Sequence, residues 1–377
     1  MSYRIPFNRP TVTNLEGKHL LESISSRKWS GDGPFTKSCH ELLESSLGVG
    51  KALLTTSCTH ALELAALLLD VEPGDEVIMP SFTFVSTANA FVLRGAKPVF
   101  VDVRADTLNL DEKLVRHAIT TRTKAIVPVH YAGVGCAMDE IMSIAMEHGI
   151  PVVEDNAHGL FGKYRNRWLG TFGCLATLSF HETKNFTCGE GGALLINDSA
   201  LIQRAEIIRE KGTNRSRFFR GEVDKYSWVD VGSSYLPADL LASFLFAQLS
   251  SRDKIQSLRK QVWMRYWNRL GEWAGRHDIR LPVVPPECGQ AWHMFYLLMP
   301  DETARARLIS LLKAKGILSV FHYLPLHLSE MGSRYGGKPG DCPVTEDVSE
   351  QLVRLPFFTG LSEAEQNEVC ETMMSDF

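Results

Sequence analysis

Zinc-type spacing is absent from this sequence. Its eight cysteines (39, 58, 136, 174, 188, 288, 342 and 370) are scattered without a CxxC pair, and its twelve histidines form no HExxH or related pattern. Metal catalysis therefore has no support, and cysteines so dispersed in a reducing compartment act mostly as small core residues. Long apolar runs are missing as well. None approaches membrane-spanning length and the opening residues MSYRIPFNRP carry no apolar leader, which argues against insertion and export and for a cytoplasmic protein. Excess charge is lacking too: a net −4 does not suit a general binder of nucleic acid or other polyanions. No strand runs into a GxGxxG turn, which disfavours a nicotinamide-dependent sugar dehydratase or reductase. There is no internal repeat and no low-complexity tract.

What remains is an ordinary globular composition, 44% hydrophobic and 22% charged over 377 residues, enough for two or three domains. After a Gly-rich turn, WSGDGP at 29–34, a helix is expected over 35–47. The stretch KALLTTSCTH (51–60) reads as a short strand ending in hydroxyl residues before a strongly helical run. Ser57, Cys58 and Thr59 at that helix entry are either simple caps or an anion site, where free N–H groups and the helix dipole would hold a phosphate. Strands over 76–79, 98–103, 125–129 and 151–154 then alternate with helices over 85–94, 111–119 and 138–148. Such alternation of β-branched strands and helices indicates a parallel α/β sheet covered on both faces, with ligands at the carboxyl ends of its strands. Phe84, His130, Asp155 and Lys184 fall just past such ends and share one expected edge.

The central stretch is CLATLSFHETKNFTCGEGGALLIN (174–197), two apolar runs joined through His181-Glu182-Thr183-Lys184-Asn185 and a run of glycines, hence two strands. Lys184 reads either as a strand-end lysine reaching water or as an amine kept neutral by burial. A neutral, desolvated amine is the form that makes a Schiff base with a carbonyl or with pyridoxal phosphate. Asp155 reads either as a helix cap or as a buried acid that needs a partner. A phosphate site, a lysine, an acid for a ring nitrogen and an aromatic at Phe84 together meet the needs of pyridoxal phosphate.

Further on, the segment over 204–230 is polar, basic and aromatic and reads as a long loop without a core face, with Lys211, Arg215, Arg217 and Arg220 as candidates to face a diphosphate. One long helix is expected over 238–270, with Trp263, Trp267 and Trp273 as packing residues. A break at LPVVPPECGQ (281–290) leads into C-terminal elements, with strands over 292–299 and 317–323 and helices over 302–315, 344–352 and 362–373. The expected division is a large α/β domain over 1–250 and a smaller α+β domain over 251–377 entered through the long helix.

In order along the whole chain stand GDGPFT, SCTHALE, PSFTFVSTANAF, GAKPVFVDV, VPVHYAG, VVEDNAHG, SFHETKN with GEGGA, HMFY, VFHYLPLH and RLPFF. In this the sequence resembles the pyridoxal-phosphate-dependent sugar-nucleotide aminotransferases of the aspartate-aminotransferase fold. ETKN, EIIREKGTNRSRFFRG, DKYSW and GSSYL are most similar to the branch that makes dTDP-4-amino-4,6-dideoxygalactose from dTDP-4-keto-6-deoxyglucose. The resemblance implies a fold type I architecture, with a mostly parallel seven-stranded sheet in the large domain, and pyridoxal 5'-phosphate as cofactor. It gives Lys184 the covalent link and proton shuttle, Asp155 the pyridinium nitrogen, His158 the neighbourhood of the cofactor hydroxyl, Phe84 the ring face, and Ser57, Cys58, Thr59 and Ser179 the phosphate.

Cys58 stands where relatives commonly have glycine, so its contribution would come from the backbone. In GSSYL (232–236) Ser234 and Leu236 replace an Asn-x-Arg pair whose Asn reaches the partner subunit's phosphate; Ser234 would still donate a hydrogen bond. His322, Tyr323 and His327, with Arg215 and Arg220, are the expected substrate contacts. The implied reaction takes the amino group of L-glutamate to C4 of the dTDP-linked keto sugar in a homodimer with its active site at the interface. Transfer at C3, or on a UDP- or GDP-linked sugar, is the alternative. Relatives that dehydrate sugars carry histidine in place of the lysine, and Lys184 argues against that reaction.

Overall fold

The computed structural model describes residues 3–376. Seven strands, β1 (Lys51–Thr55), β2 (Glu76–Pro80), β3 (Lys97–Val101), β4 (Thr123–Ile126), β5 (Val153–Asp155), β6 (Leu175–Ser179) and β7 (Gly192–Ile196), form the central sheet. A three-stranded and a four-stranded ladder are joined by the parallel bridges Ile126–Val152 and Val129–Asp155, giving the order β3-β2-β4-β5-β6-β7-β1. Only β7 runs antiparallel to its neighbours, β6 and β1. This is the α/β architecture of the fold type I transferases, as expected.

Alternation along the strands assigns each side chain to one of two faces. Leu53, Leu194 and Ile196 pack beneath α3 (Cys58–Leu68), α4 (Val85–Val92) and α7 (Ile202–Arg209), whereas Leu54, Ala193 and Leu195 pack against α2 (Pro34–Leu47) and α8 (Asp239–Ser250). On that second face α5 (Glu112–Ala118) and α6 (Met138–His148) cover Ile78 and Ile126. Each fully buried aliphatic side chain in these layers contributes about 1.5–3 kcal/mol. Ahead of α2 lies α1 (Glu16–Ser26). The start of α2 is capped from far away: Asp239 accepts from the N–H groups of Phe35 and Thr36 at 3.3 and 2.8 Å.

The helix expected over 238–270 is two helices. α8 stops at Ser250 and α9 (Arg252–Arg276) starts beyond Ser251, whose N–H bonds back to Gln248 O. The break lets Leu245 and Leu249 stay in the sheet core while Val262, Trp263, Tyr266 and Leu270 enter a separate C-terminal core. Trp263 and Trp273 are buried there, and Trp267, partly exposed, stacks on Trp263 at 5.1 Å. That core also holds residues of β8 (Tyr296–Leu298), β9 (Leu352–Arg354), α10 (Glu302–Ala314), α12 (Glu363–Asp376) and, from the N-terminal segment, Ile5, whereas α11 (Pro343–Gln351) sends Val344 and Val348 into a neighbouring cluster with Phe82, Tyr131 and Tyr296. Residues 317–323 form no full strand. They make two single bridges, Ile317 to Ile5 of the N-terminal segment and Val320 to Arg354 of β9, and then carry His322 and Tyr323 to a cavity. The region over 204–230 contains α7 and a short helix, Arg215–Phe219, so it is less irregular than its composition suggests.

A buried carboxylate anchors the strand ends. Glu154 is fully buried and accepts from the N–H groups of Gly170, Phe172 and Gly173 at 2.8, 2.6 and 2.8 Å, and from His130 Nε2 at 2.8 Å. His130 Nδ1 accepts from Cys136 N, which leaves Nε2 as the donor. Glu154→Ala removes an anion from four oriented donors and is expected to cost about 3–5 kcal/mol. Urea unfolding would show this as a lower midpoint, with Glu154→Gln losing less.

Candidate active site

Where β1, β5 and β6 end, the chain opens a cavity of about 560 Å³ between the sheet edge and the C-terminal lobe. Ser57, Cys58, Thr59, Phe84, Asp155, His158, Ser179, Lys184, His322 and Tyr323 all line it. These ten sequence-derived candidates, separated by as many as 266 positions (323 − 57), meet in one space. His130 shares the strand edge but not the cavity, since both its nitrogens are occupied underneath by Glu154 and Cys136. His327 lies behind the wall, buried between Ser81 (2.6 Å) and Glu346 (2.9 Å). Arg215 and Arg220 are on the outer helix, paired with Glu210 and with Glu206 and Glu222, and Ser234 sits in an exposed stretch bridged to Glu210. Lys211 and Arg217 also have acidic partners nearby.

Lys184 sits in the loop between β6 and β7, where the surrounding protein removes it from water. Burial pushes its amine down to about 8, against opposing pulls from Cys58 and Asp155 and with a further push from Arg354. Asp155 ends β5. It accepts from Thr87 Oγ1 at 2.7 Å and from Ala157 N at 3.2 Å, so its carboxylate is aimed by two donors. Ser57 caps α3 by accepting from His60 N at 3.1 Å, which leaves the N–H groups of Cys58 and Thr59 at the start of the helix free for an anion. β7 can pass this helix entry only because residue 192 is glycine: a Cβ there would overlap the backbone of Ser57 and Cys58. Phe84, 56% exposed, presents an open ring at the cavity rim.

Three imidazoles, His158, His293 and His322, stand in the same wall as Arg354. His158 stacks on His293 at 4.2 Å, and its buried Nδ1 has no partner among the described residues. Burial first, and then the positive charges of Lys184 and Arg354, hold the imidazoles of His158, His293 and His322 well below the usual histidine range. His293 is fixed by Asn185 (2.9 Å), and His322 shares a 2.6 Å hydrogen bond with Tyr131. His293, Thr87 and Arg354 belong to the cavity yet were given no role from the sequence. Only their membership in HMFY, PSFTFVSTANAF and RLPFF signalled them.

These residues fit pyridoxal phosphate. A helix entry left open by Gly192 suits a phosphate, an aimed carboxylate suits a ring nitrogen, an imidazole with an unpartnered Nδ1 suits a ring substituent, and a lysine near neutrality suits an aldehyde. Added to the apoprotein, pyridoxal phosphate is expected to give a visible absorption band whose rate of formation rises with a midpoint near pH 8. At pH 7 roughly a tenth of such an amine is neutral, about 300-fold more than for an ordinary lysine. Lys184→Ala should give no band, and Gly192→Ala should weaken cofactor binding at least tenfold by closing the helix entry.

Comparison with known proteins agrees with this chemistry. SpsC of Bacillus subtilis, a spore coat polysaccharide biosynthesis protein, is 31% identical over 98% of this chain and 96% of its own. Spr1654 of Streptococcus pneumoniae, assigned as a sugar aminotransferase and solved in apo, PLP and PMP forms, superposes with a TM-score of 0.91 at 28% identity, covering 99% of this chain and 97–98% of that one. DesV of S. venezuelae superposes at 0.90 with 30% identity over 99% and 98% of the two chains. The profile of the DegT/DnrJ/EryC1/StrS aminotransferase family matches residues 10–374. The chain belongs to the DegT/DnrJ/EryC1/StrS aminotransferase family, and it is a transaminase that works with pyridoxal phosphate.

Proposed function

We propose that this transaminase moves the amino group of L-glutamate to C4 of dTDP-4-keto-6-deoxyglucose, giving dTDP-4-amino-4,6-dideoxygalactose and 2-oxoglutarate. The observation that carries the reading is Lys184, a lysine brought near neutrality beside an aimed acid at the sheet edge. Three neutral imidazoles and the Tyr323 hydroxyl in the cavity wall support a sugar in the acceptor position, because each can exchange hydrogen bonds with hydroxyl groups without bringing a charge. The motifs SFHETKN, EIIREKGTNRSRFFRG and GSSYL support the dTDP-linked 4-keto sugar in particular.

Pyridoxal phosphate, when bound, supplies an acceptor for the electron pair left behind as a carbon next to nitrogen loses its proton. The chain does the rest. Lys184 takes the proton from the α-carbon of the donor and, in the second half of the cycle, delivers one to the sugar carbon, so the face it occupies sets the stereochemistry. Asp155, held by Thr87 and the Ala157 N–H, would be the partner of the ring nitrogen. The Cys58 and Thr59 N–H groups, with Ser57 and Ser179, would hold the phosphate, Phe84 would cover the ring, and His158 would meet the ring substituents. His322 and Tyr323 close the cavity from the C-terminal lobe.

The proposed assembly is a homodimer in which the segment carrying Arg215, Arg220 and Ser234 meets the neighbouring subunit. In support, that segment exposes Trp228 (80%) and Phe219 (69%), large apolar surfaces that a partner would cover. Sedimentation should give twice the 42.1 kDa chain mass, and Trp228→Asp should shift the species toward monomer.

The chemical test combines holoenzyme, L-glutamate and dTDP-4-keto-6-deoxyglucose and identifies the product by mass and NMR. An axial 4-amino sugar, absent with Lys184→Ala, is the expected result. Amination at C3, or only with a UDP- or GDP-linked sugar, would replace the substrate while leaving the transaminase intact.

A further inference from the structure

Tyr131 and His322 are joined by a hydrogen bond that the chemistry above does not use. Tyr131 lies in the turn that follows β4, 1% exposed and packed among Phe82, Tyr296 and Leu298. Among the described residues its hydroxyl has a single hydrogen-bond partner, Nδ1 of His322, at 2.6 Å. The His322 ring stacks on Tyr323 at 3.7 Å, meets Phe82 edge-on at 6.2 Å, and lines the cavity.

What each partner can donate fixes the direction of that bond. Burial pushes the Tyr131 phenol well up, so it keeps its proton, and a buried O–H needs an acceptor. Nδ1 of His322 is the one available among the described residues, so Tyr131 donates and Nδ1 accepts. The imidazole is held well below the usual histidine range, first by burial and then by the charge of Arg354, and therefore carries one proton. With Nδ1 accepting, that proton is on Nε2. Nε2 has no protein partner among the described residues and is not sealed in the core, so it turns an N–H toward the cavity.

His322 is thus a donor that cannot accept. Tyr323, whose hydroxyl does both, can serve any sugar hydroxyl; a one-way neutral donor is matched to an oxygen that only accepts. Carboxylate and phosphate oxygens are of that kind but carry charge, which draws charged donors. Of the neutral ones, ring and glycosidic oxygens pass through a transamination unchanged, whereas the keto oxygen gains negative charge as its carbon is attacked. A preplaced donor counts most where charge develops. Lys184 is near enough for its charge to act on His322, so the ring stands within reach of the group that marks the reacting carbon.

We infer that Tyr131 locks His322 as an Nε2–H donor, and that this donor holds the keto oxygen as it leaves the acceptor sugar and as it arrives on the 2-oxo acid. This rests on the transaminase reading above and adds a site for the reacting oxygen. In the sugar half, the amine nitrogen bonds to the keto carbon and the C=O electron pair moves onto oxygen, which departs as water with the two hydrogens that the amine gives up. His322 lends a hydrogen bond and loses no proton, so no imidazolate arises. The donor half runs the same exchange backwards, with water supplying the oxygen. Tyr131 touches neither substrate and is a positioning residue.

The test uses the holoenzyme and separates the oxygen step from the proton step. Release of 2-oxoglutarate in a single turnover with L-glutamate, and return of the visible cofactor band with the keto sugar, each include the oxygen step. Entry of solvent deuterium at the α-carbon of unreacted L-glutamate reports the proton step of Lys184. His322→Phe should slow the first two about 100-fold, with half-saturating concentrations within about fivefold and deuterium entry within about threefold of wild type. His322→Gln, which keeps an N–H, should recover about tenfold of that loss. Tyr131→Phe frees the proton to sit on either nitrogen and should slow both oxygen steps at least about threefold. Long-range ¹H–¹⁵N spectra of histidine-labelled holoenzyme, with His322→Gln assigning the signal, should place the proton on Nε2 in wild type and shift it in Tyr131→Phe. An unaltered cofactor band checks folding in each variant. A wild-type proton on Nδ1 would overturn the inference, as would oxygen steps within threefold of wild type in His322→Phe. Deuterium entry slowed as much as the oxygen steps would make His322 a packing residue and overturn it too. Wild-type enzyme that releases 2-oxoglutarate but does not react with this sugar would defeat the sugar assignment alone, because the donor half still reports on His322.

Discussion

A lysine that has to lose its proton near neutral pH must sit where water cannot stabilise its charge, and yet beside a carboxylate that favours that charge. Both demands act on Lys184 at once. Burial lowers its amine, Asp155 and Cys58 resist, and the balance falls at about 8. Much of the neighbouring structure follows from holding that balance steady. Asp155 is aimed by Thr87 and Ala157 N, and the residue before it, Glu154, gathers three backbone N–H groups and His130 on the opposite side of the strand. One strand end thus carries two acids with different tasks. Glu154 is saturated by protein donors, whereas Asp155 keeps accessible edge for a ligand.

The cavity is a junction of two cores, and polar ties cross it. Asp102, just past β3, accepts from Val344 N and Thr345 N at the start of α11, each at 2.8 Å. His327 links Ser81 of the sheet lobe to Glu346 of the same helix, and Tyr131 reaches across to His322. These bonds anchor the segment that carries His322 and Tyr323, so that part of the cavity wall is positioned by residues that do not line the cavity.

The distribution of charge in the wall fits a reaction with two different substrates. Three imidazoles are kept neutral by burial and by the cations near them, which leaves a surface suited to hydroxyl groups.

Much of this was legible in the residues themselves. Strand and helix alternation, Ser57 as a cap, and Lys184, Asp155 and Phe84 at strand ends are local properties, because hydrophobic period and end signals act over a few neighbours. The sequence alone therefore determined the α/β class and the chemistry of the cofactor site. What it did not carry was which distant groups meet. The break at Ser251 arises because α8 and α9 serve different cores; His327 retreats behind the wall because Ser81 and Glu346 claim both its nitrogens; His293, just ahead of β8, and Arg354, at the end of β9, join the site from more than 100 positions beyond Lys184. Those outcomes depend on long-range packing and on which buried polar groups find partners, and only the folded chain decides that.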